Sequence, residues 1–246
     1  MSNVMITMAG LGQRFRDAGY DLPKYRINAH GRTLFAWAML SLSGFIKAGA
    51  RFSFVARRAD QAGGFIGAEC AALGIEAPRV IELDAPTDGQ ATTALYGGMV
   101  LPDPEAPFMV YNIDTFVHPD ALPAGAVRGD GWVPCFDGRG DGWSFAAADA
   151  HGRITELREK QRISAHATIG LYWFSSFALY RRVYREFYSD AARIEKGEKY
   201  IAPMYRQMIA EGRAVYLHQL PFDAVAPLGT PAEVHAFLQR EAPALA

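Results

Sequence analysis

The sequence predicts an α/β fold: a Rossmann-like, mixed but mainly parallel sheet flanked by helices, in one domain spanning residues 1–246. Apolar runs of strand length recur at residues 4–6, 52–55, 80–83 and 108–111. The stretches between them carry apolar side chains at helical spacing. Strands separated by helices of this length join through right-handed crossovers into a parallel sheet. After about residue 130 the pattern changes to a hairpin and shorter alternations, which makes the sheet mixed.

The elements follow in order. Residues 4–6 open as a strand. Thr33 can cap a helix over 34–48, with Leu34, Trp37, Ala38, Leu42 and Phe45 on one face and Gly49 ending it. The strand at 52–55 leads to a helix capped by Asp60 that reaches Leu73 and stops at Gly74. The strand at 80–83 precedes a helix over 92–101, and the strand at 108–111 ends in Asn112-Ile113-Asp114. In the second half, 145–149 and 153–157 flank Ala150-His151-Gly152 as a hairpin. A strand over 167–174, a helix over 177–188, a helical stretch at 203–211 and a strand at 215–220 follow. Residues 231–239 form a last helix with Pro231 at its start.

Composition narrows the function. Of 246 residues half are apolar and 21% are charged, with a net charge of −1, so nothing favours nucleic acid or an acidic membrane as a partner. No apolar run reaches transmembrane length. Cys70 and Cys135 form no C-x-x-C pair, which suits a reducing cytoplasm. The six histidines lack H-E-x-x-H or H-x-H spacing, and no G-x-S-x-G elbow marks a hydrolase.

The most informative segment follows the first strand: residues 8–24 read M-A-G-L-G-Q-R-F-R-D-A-G-Y-D-L-P-K. Its glycines let backbone N–H groups approach phosphate oxygens, and Arg14 and Lys24 can balance several negative charges, so it reads as a nucleoside triphosphate site. It is not a P-loop, and Phe15 stands where the dinucleotide fingerprint needs its third glycine. The loop is expected to run on for about a dozen residues rather than enter a helix at once.

Other residues carry chemistry less specifically. Asp114, just past an apolar strand, can hold Mg²⁺, which prefers oxygen ligands, or can simply cap a turn. In Asp88-Gly89-Gln90-Ala91-Thr92-Thr93 the small residues allow a nucleobase against the backbone, with Gln90 or Thr93 on its edge or ribose; the same segment is a good helix start. Glu159-Lys160, Ser164 and the stretch from Thr168 through Gly170 to Tyr172 form a third cluster. Lys160 can partner a second phosphate there, and Gly170 can give a ligand access to the strand. Glu198 and Tyr200 can hydrogen-bond a polyol or serve as surface charge and packed aromatic.

Taken in order, these motifs resemble the sugar-phosphate nucleotidyltransferases, including those that make activated precursors for capsule and lipopolysaccharide. The pieces are G-x-G-x-R-F and P-K within residues 10–24, Gly89-Gln90-Ala91-Thr92, Asn112-Ile113-Asp114, Glu159-Lys160, Thr168-x-Gly170-x-Tyr172, Glu198-x-Tyr200 and Gly229-Thr230-Pro231. They cover nearly the whole chain. The resemblance implies a GT-A-like nucleotidyltransferase fold, with a nucleotide-binding core in 1–130 and an acceptor-binding part in 131–246. It implies that Met8, Ala9, Gly10, Leu11, Gly12 and Arg14 cradle the triphosphate, with Asp88, Gly89, Gln90, Ala91 and Asn112 around the nucleoside. Arg14, Lys24 and Lys160 carry the catalysis, Lys24 at the reacting phosphates and Lys160 on the acceptor phosphate. Glu159, Thr168, Gly170, Glu198 and Tyr200 face the acceptor. The implied cofactor is Mg²⁺ on Asp114. Many members carry a second metal-binding aspartate two positions before G-T-P; here Pro227 stands there, and Asp223 is the upstream carboxylate that could replace it.

The activity so implied moves a nucleoside monophosphate from a triphosphate to a sugar 1-phosphate or small phosphorylated alcohol, releasing pyrophosphate. Competing classes are a glycosyltransferase using a finished nucleotide sugar, a non-catalytic nucleotide-binding subunit and, more distantly, an NADPH enzyme placing Arg57 and Arg58 on a 2′-phosphate. The base, the acceptor and the oligomeric state stay open.

Overall fold

In the computed structural model, which describes residues 1–245, the chain enters the sheet through β1 (Asn3–Thr7), with Val4, Met5 and Ile6 fully buried. A short helix α1 (Gln13–Asp17) and a small hairpin of β2 (Asn28–Ala29) and β3 (Arg32–Thr33) lead to α2 (Leu34–Leu40) and α3 (Ser43–Lys47). Then come β4 (Arg51–Arg57), α4 (Gly63–Ala72), β5 (Arg79–Leu83), α5 (Gln90–Gly98) and β6 (Phe108–Asn112). The second half adds β7 (Thr115–Val117), β8 (Gly131–Asp137), β9 (Ser144–Ala148), β10 (Ile154–Glu159), β11 (His166–Thr168) and β12 (Leu171–Phe174). It ends with α6 (Phe177–Phe187), α7 (Tyr205–Ala210), β13 (Val215–Gln219), β14 (Val225–Pro227) and α8 (Pro231–Leu238).

Ten strands form one sheet in the order β10-β9-β11-β8-β12-β6-β1-β4-β5, with β13 parallel to β8 beside that path. The parallel block β6-β1-β4-β5 is built by residues 3–112, and β12 joins it antiparallel to β6. The mixed sheet flanked by helices expected from the sequence is the one that forms, and both halves of the chain contribute to it. Side chains alternate across the parallel strands. Val4, Ile6 and Phe54 pack with Phe35 and Ile66 on one face; Met5, Val55 and Val110 pack with Ala94, Phe177 and Tyr180 on the other. Each such large apolar side chain contributes roughly 1.5–3 kcal/mol on burial.

Several elements depart from the sequence expectation for local reasons. The helix expected over 34–48 breaks after Leu40 because the buried Ser41 hydroxyl is recruited elsewhere, donating to the Trp37 carbonyl (3.2 Å) and accepting from Val117 N–H of β7 (2.9 Å). Asp60 caps nothing; it ends a 3₁₀ turn and its carboxylate pairs with Arg57, so α4 begins only at Gly63. The single strand expected over 167–174 is β11 and β12, parted at Gly170, whose φ is +78°. The sequence gives no sign of β8, since Pro134 interrupts its apolar run. The strand forms nonetheless, with the Pro134 carbonyl accepting from Ile169 N–H (3.3 Å). No helix among the described residues is long and apolar enough to cross a membrane.

One surface network has a testable share in stability. Glu211, at the end of α7, accepts a forked pair of hydrogen bonds from Arg182 of α6 (2.7 and 2.9 Å) and one from Arg213 (3.1 Å). The Arg182 guanidinium holds its carboxyl down at about 2. A carboxyl whose folded pKa is depressed stabilises the fold above its ordinary value of 4.5 and loses that contribution as pH falls toward about 2. Glu211→Gln is expected to lower Tm by about 2–4 °C at pH 7, corresponding to about 1 kcal/mol for a water-screened pair. In calorimetric melts the gap from the parent should narrow steadily below pH 4.5.

Candidate active site

Thr7 of β1 stands beside Asn112 of β6, so the segments leaving these two strands enter one cleft at the carboxyl edge of the sheet. Met8 N–H bonds to the Val55 carbonyl (2.9 Å), and Met8 and Ala9 are buried, which roots the loop in the core. Gly10 and Leu11 are exposed. Gly12, with φ +64°, turns the chain directly into α1, so the long loop expected here is instead a helix of five residues. Its anchor is Phe15, which packs with Ile27, Leu34 and Trp37; that packing accounts for an aromatic where a dinucleotide fold needs glycine. Arg14 is left exposed at the cleft, with no hydrogen bond or ion pair among the described residues.

The chain returns to the same cleft at Lys24, whose Nζ donates to Asp114 Oδ2 at 2.5 Å. Both side chains are 21% exposed, so the pair is partly shielded yet open to a ligand. Asp114 lies in the turn between β6 and β7, with its carbonyl accepting from Leu228 N–H (2.8 Å). That bond ties it to the segment after β14. An added β-carbon on Gly229 would lie 3.2 Å from Asp114 Oδ2 and 3.5 Å from Glu233 Oε2. The glycine therefore keeps open a small space faced by two carboxylates. Oxygen donors of this kind fit Mg²⁺, which binds through one or two carboxylates plus substrate phosphates rather than a complete protein cage. Among the described residues no group of three or more His, Cys, Asp or Glu side chains converges to make such a cage. Asp223 is not brought to this space. The β7–β14 ladder pairs Pro227 with Thr115 and Val225 with Val117, which leaves Asp223 exposed beyond the far end of β14, on the order of 10 Å of strand from Asp114.

Asp114, Arg14, Gln90 and Asn112 line a cavity of about 730 Å³ with Glu159, Lys160, Thr168, Glu198 and Tyr200. Lys160 holds φ +47°, a left-handed backbone unusual outside glycine, and its N–H bonds to the Trp143 carbonyl (2.9 Å). Its Nζ donates to the Tyr200 hydroxyl (2.8 Å) and lies 3.8 Å from Glu159 Oε1. Below it runs a buried polar chain: Thr168 Oγ1 to the Tyr172 hydroxyl (3.0 Å), Tyr172 to Ser144 (3.4 Å), and Ser144 to Glu159. Burial pushes the Glu159 carboxyl above its ordinary value, with the neighbouring Glu195 and Glu198 acting the same way against Ser144 and Lys160. Tyr200 is likewise raised, by burial first and then by the Glu198 carboxylate. Thr168 and Glu159 are thus parts of one tied network at the cavity wall.

One expectation is corrected by packing. Gly89 and Ala91 do not border open space for a base: a β-carbon on Gly89 would lie 2.4 Å from the Lys199 carbonyl oxygen, and Ala91 is fully buried, its N–H bonded to that same carbonyl (3.0 Å). Asp88 is tied to Lys199 Nζ (2.7 Å) and to the Thr92 hydroxyl. Partial burial acts to raise the Asp88 carboxyl, and these hydrogen bonds outweigh it, leaving the group below its ordinary value. Of this segment Gln90 reaches the cavity, with its Nε2 donating to Thr7 Oγ1 (3.0 Å). Gly170 lines the cavity, with the Asn112 side chain occupying the side on which a β-carbon would stand. Asn112 Oδ1 is buried with no hydrogen-bond partner among the described residues. Arg57 is engaged by Asp60, and Arg58 by Glu82 and Asp84, which removes the pair offered to a 2′-phosphate. Residues missed in the sequence reading are Glu233, Ser144, Arg139 and Trp143, which also line the cavity.

A glycine-bearing loop, exposed or half-exposed cations and a strand-end carboxylate around one cleft define an enzyme that handles polyanionic nucleotides. The chain is 34% identical to the nucleoside-diphosphate-sugar pyrophosphorylase of Vibrio cholerae RC9, over 96% of this chain and 100% of that one, with a TM-score of 0.90. It belongs to the sugar-phosphate nucleotidyltransferase family. The inositol-1-phosphate CTP transferase of T. maritima shares the fold at 17% identity, with 99% and 98% of the two chains covered and a TM-score of 0.74. So does a candidate glucose-1-phosphate thymidylyltransferase of Bacillus anthracis in complex with sucrose, at 14% identity, 99% and 97% coverage and a TM-score of 0.75. No family model and no curated protein matches the sequence.

Proposed function

We propose that the enzyme transfers a nucleoside monophosphate from a triphosphate to a sugar 1-phosphate or related small phosphorylated alcohol, releasing pyrophosphate. The cofactor is Mg²⁺, the setting the cytoplasm, and the product an activated precursor for surface polysaccharide. Residues 1–130 supply the nucleotide side and residues 131–246 the acceptor side. The single observation that carries the chemistry is the Lys24–Asp114 contact at 2.5 Å, which sets a cation and a strand-end carboxylate at the edge of both parts.

A phosphate monoester is mostly dianionic at neutral pH, its second pKa being about 6, so its oxygen attacks without a general base. Repulsion between two anions is the obstacle. Arg14 and Lys24 offset charge on the triphosphate, and Lys160 holds the acceptor phosphate, so the two are aligned for attack at the α-phosphorus. Asp114 would hold Mg²⁺, which supplies further positive charge toward the departing pyrophosphate. Asn112 Oδ1 accepts a hydrogen bond from the nucleoside, and Glu198 and Tyr200 bind the acceptor's organic part.

The test is a screen of the common triphosphates against phosphorylated sugars and alcohols, read as pyrophosphate. The expected result is release with one matched pair, together with a Lys160→Ala variant in which the acceptor KM rises more than the triphosphate KM. Glycosyl transfer from a nucleotide sugar without pyrophosphate, or tight triphosphate binding with no turnover against the whole panel, overturns the proposal.

A further inference from the structure

Asp114 offers one carboxylate, and Lys24 already engages its Oδ2. The strand position that the resemblance assigns to a second acidic ligand is Pro227, which has no side-chain oxygen. The structure nevertheless brings a second carboxylate to the place. Glu233 projects from the first turn of α8, and the Gly229 space lies between its Oε2 and Asp114 Oδ2. Thr230 caps the helix by accepting from Glu233 N–H (3.2 Å). A glutamate three residues after such a cap commonly folds back onto the cap's own N–H. Here its carboxylate makes no hydrogen bond or ion pair among the described residues and lines the cavity with Asp114 instead. Two carboxylates facing one small space repel each other and favour a shared cation.

We propose that Glu233 is the second protein ligand of the divalent ion, supplied from helix α8 in place of the strand residue that Pro227 cannot provide. The ion's presence rests on the nucleotidyltransferase reading; the choice of Glu233 rests on this chain's own geometry. The longer side chain suits the change, because α8 starts beyond Gly229 and must reach back across it.

The experiment titrates the metal-free full chain with Mn²⁺ alone, following free ion by electron paramagnetic resonance, for the parent, Glu233→Gln and Glu233→Cys. Glu233→Gln is expected to weaken Mn²⁺ binding at least as much as loss of an outer-shell partner, about 10–100-fold, with metal-free Tm unchanged. Glu233→Cys should turn the preference from Mn²⁺ to Cd²⁺, since a thiolate is a soft ligand. Equal Mn²⁺ affinity in parent and Glu233→Gln, or no Mn²⁺ bound by the parent, overturns the assignment. Pyrophosphate release is measured alongside. Turnover by the parent with Mn²⁺ affinity unchanged in Glu233→Gln removes Glu233 and keeps the proposed reaction, while Glu233-dependent Mn²⁺ binding without turnover does the reverse.

Discussion

Lys24→Ala is expected to lower kcat/KM for pyrophosphate release by about 10²–10³-fold, the usual cost of removing one preorganised group that stabilises developing charge. Tm should hardly move. The Lys24–Asp114 pair is partly exposed, and ion pairs of that kind contribute about 0–1 kcal/mol to folding. The asymmetry follows from position. Lys24 lies where the loop after β1 meets the turn after β6, so its charge counts chiefly when phosphates fill the cleft. Lys24→Arg should recover only part of the loss, because a planar fork cannot place its charge where a compact ammonium sits. Full turnover in Lys24→Ala, with circular dichroism and Tm matching the parent, would remove Lys24 from the chemistry. Asp114 would then be left as a turn residue with a surface partner.

That contact was legible in sequence from its two ends separately. Asp114 follows an apolar strand and Lys24 closes a glycine-bearing loop, and α/β sheets bring such segments to one edge. The parallel block was legible for the same reason: its strands are continuous apolar runs and its helices keep their period. β8 was hidden by Pro134, and β7 and β14 are three-residue strands too short to show a period. Glycines showed that something approaches closely but not what. On the side where a β-carbon would stand, Gly89 meets the Lys199 backbone and Gly170 meets Asn112, both protein groups distant in sequence. Glu233 was invisible because Thr230-x-x-Glu233 satisfies the helix-start pattern and needs no further explanation. Only the open Gly229 and the unpaired carboxylate distinguish it. Asp223 shows the converse: nearness in sequence to Pro227 suggested a substitute, and the antiparallel register carries it away.

Gly170→Ala should be a strongly damaging single-methyl change in the site. A β-carbon there would lie 2.1 Å from Asn112 Nδ2, and φ at +78° adds the left-handed penalty of about 1–2 kcal/mol for any residue but glycine. To relieve the contact the Asn112 side chain must leave its place at the cavity wall, since its backbone N–H is held by the Gly170 carbonyl (3.3 Å). The expected loss is about 2–4 kcal/mol, seen as a Tm lower by roughly 5–15 °C, with pyrophosphate release nearly abolished. A second substitution separates the two effects. Adding Asn112→Ala makes room for the methyl, so the double variant should regain stability over Gly170→Ala by the clash component alone, the φ penalty remaining. Activity should not return with it, because the unpaired Asn112 Oδ1 that we propose accepts from the nucleoside is gone. A double variant no more stable than Gly170→Ala would show that Asn112 is not what fills the glycine's open face. One that also regained turnover would show that the nucleoside does not need that oxygen.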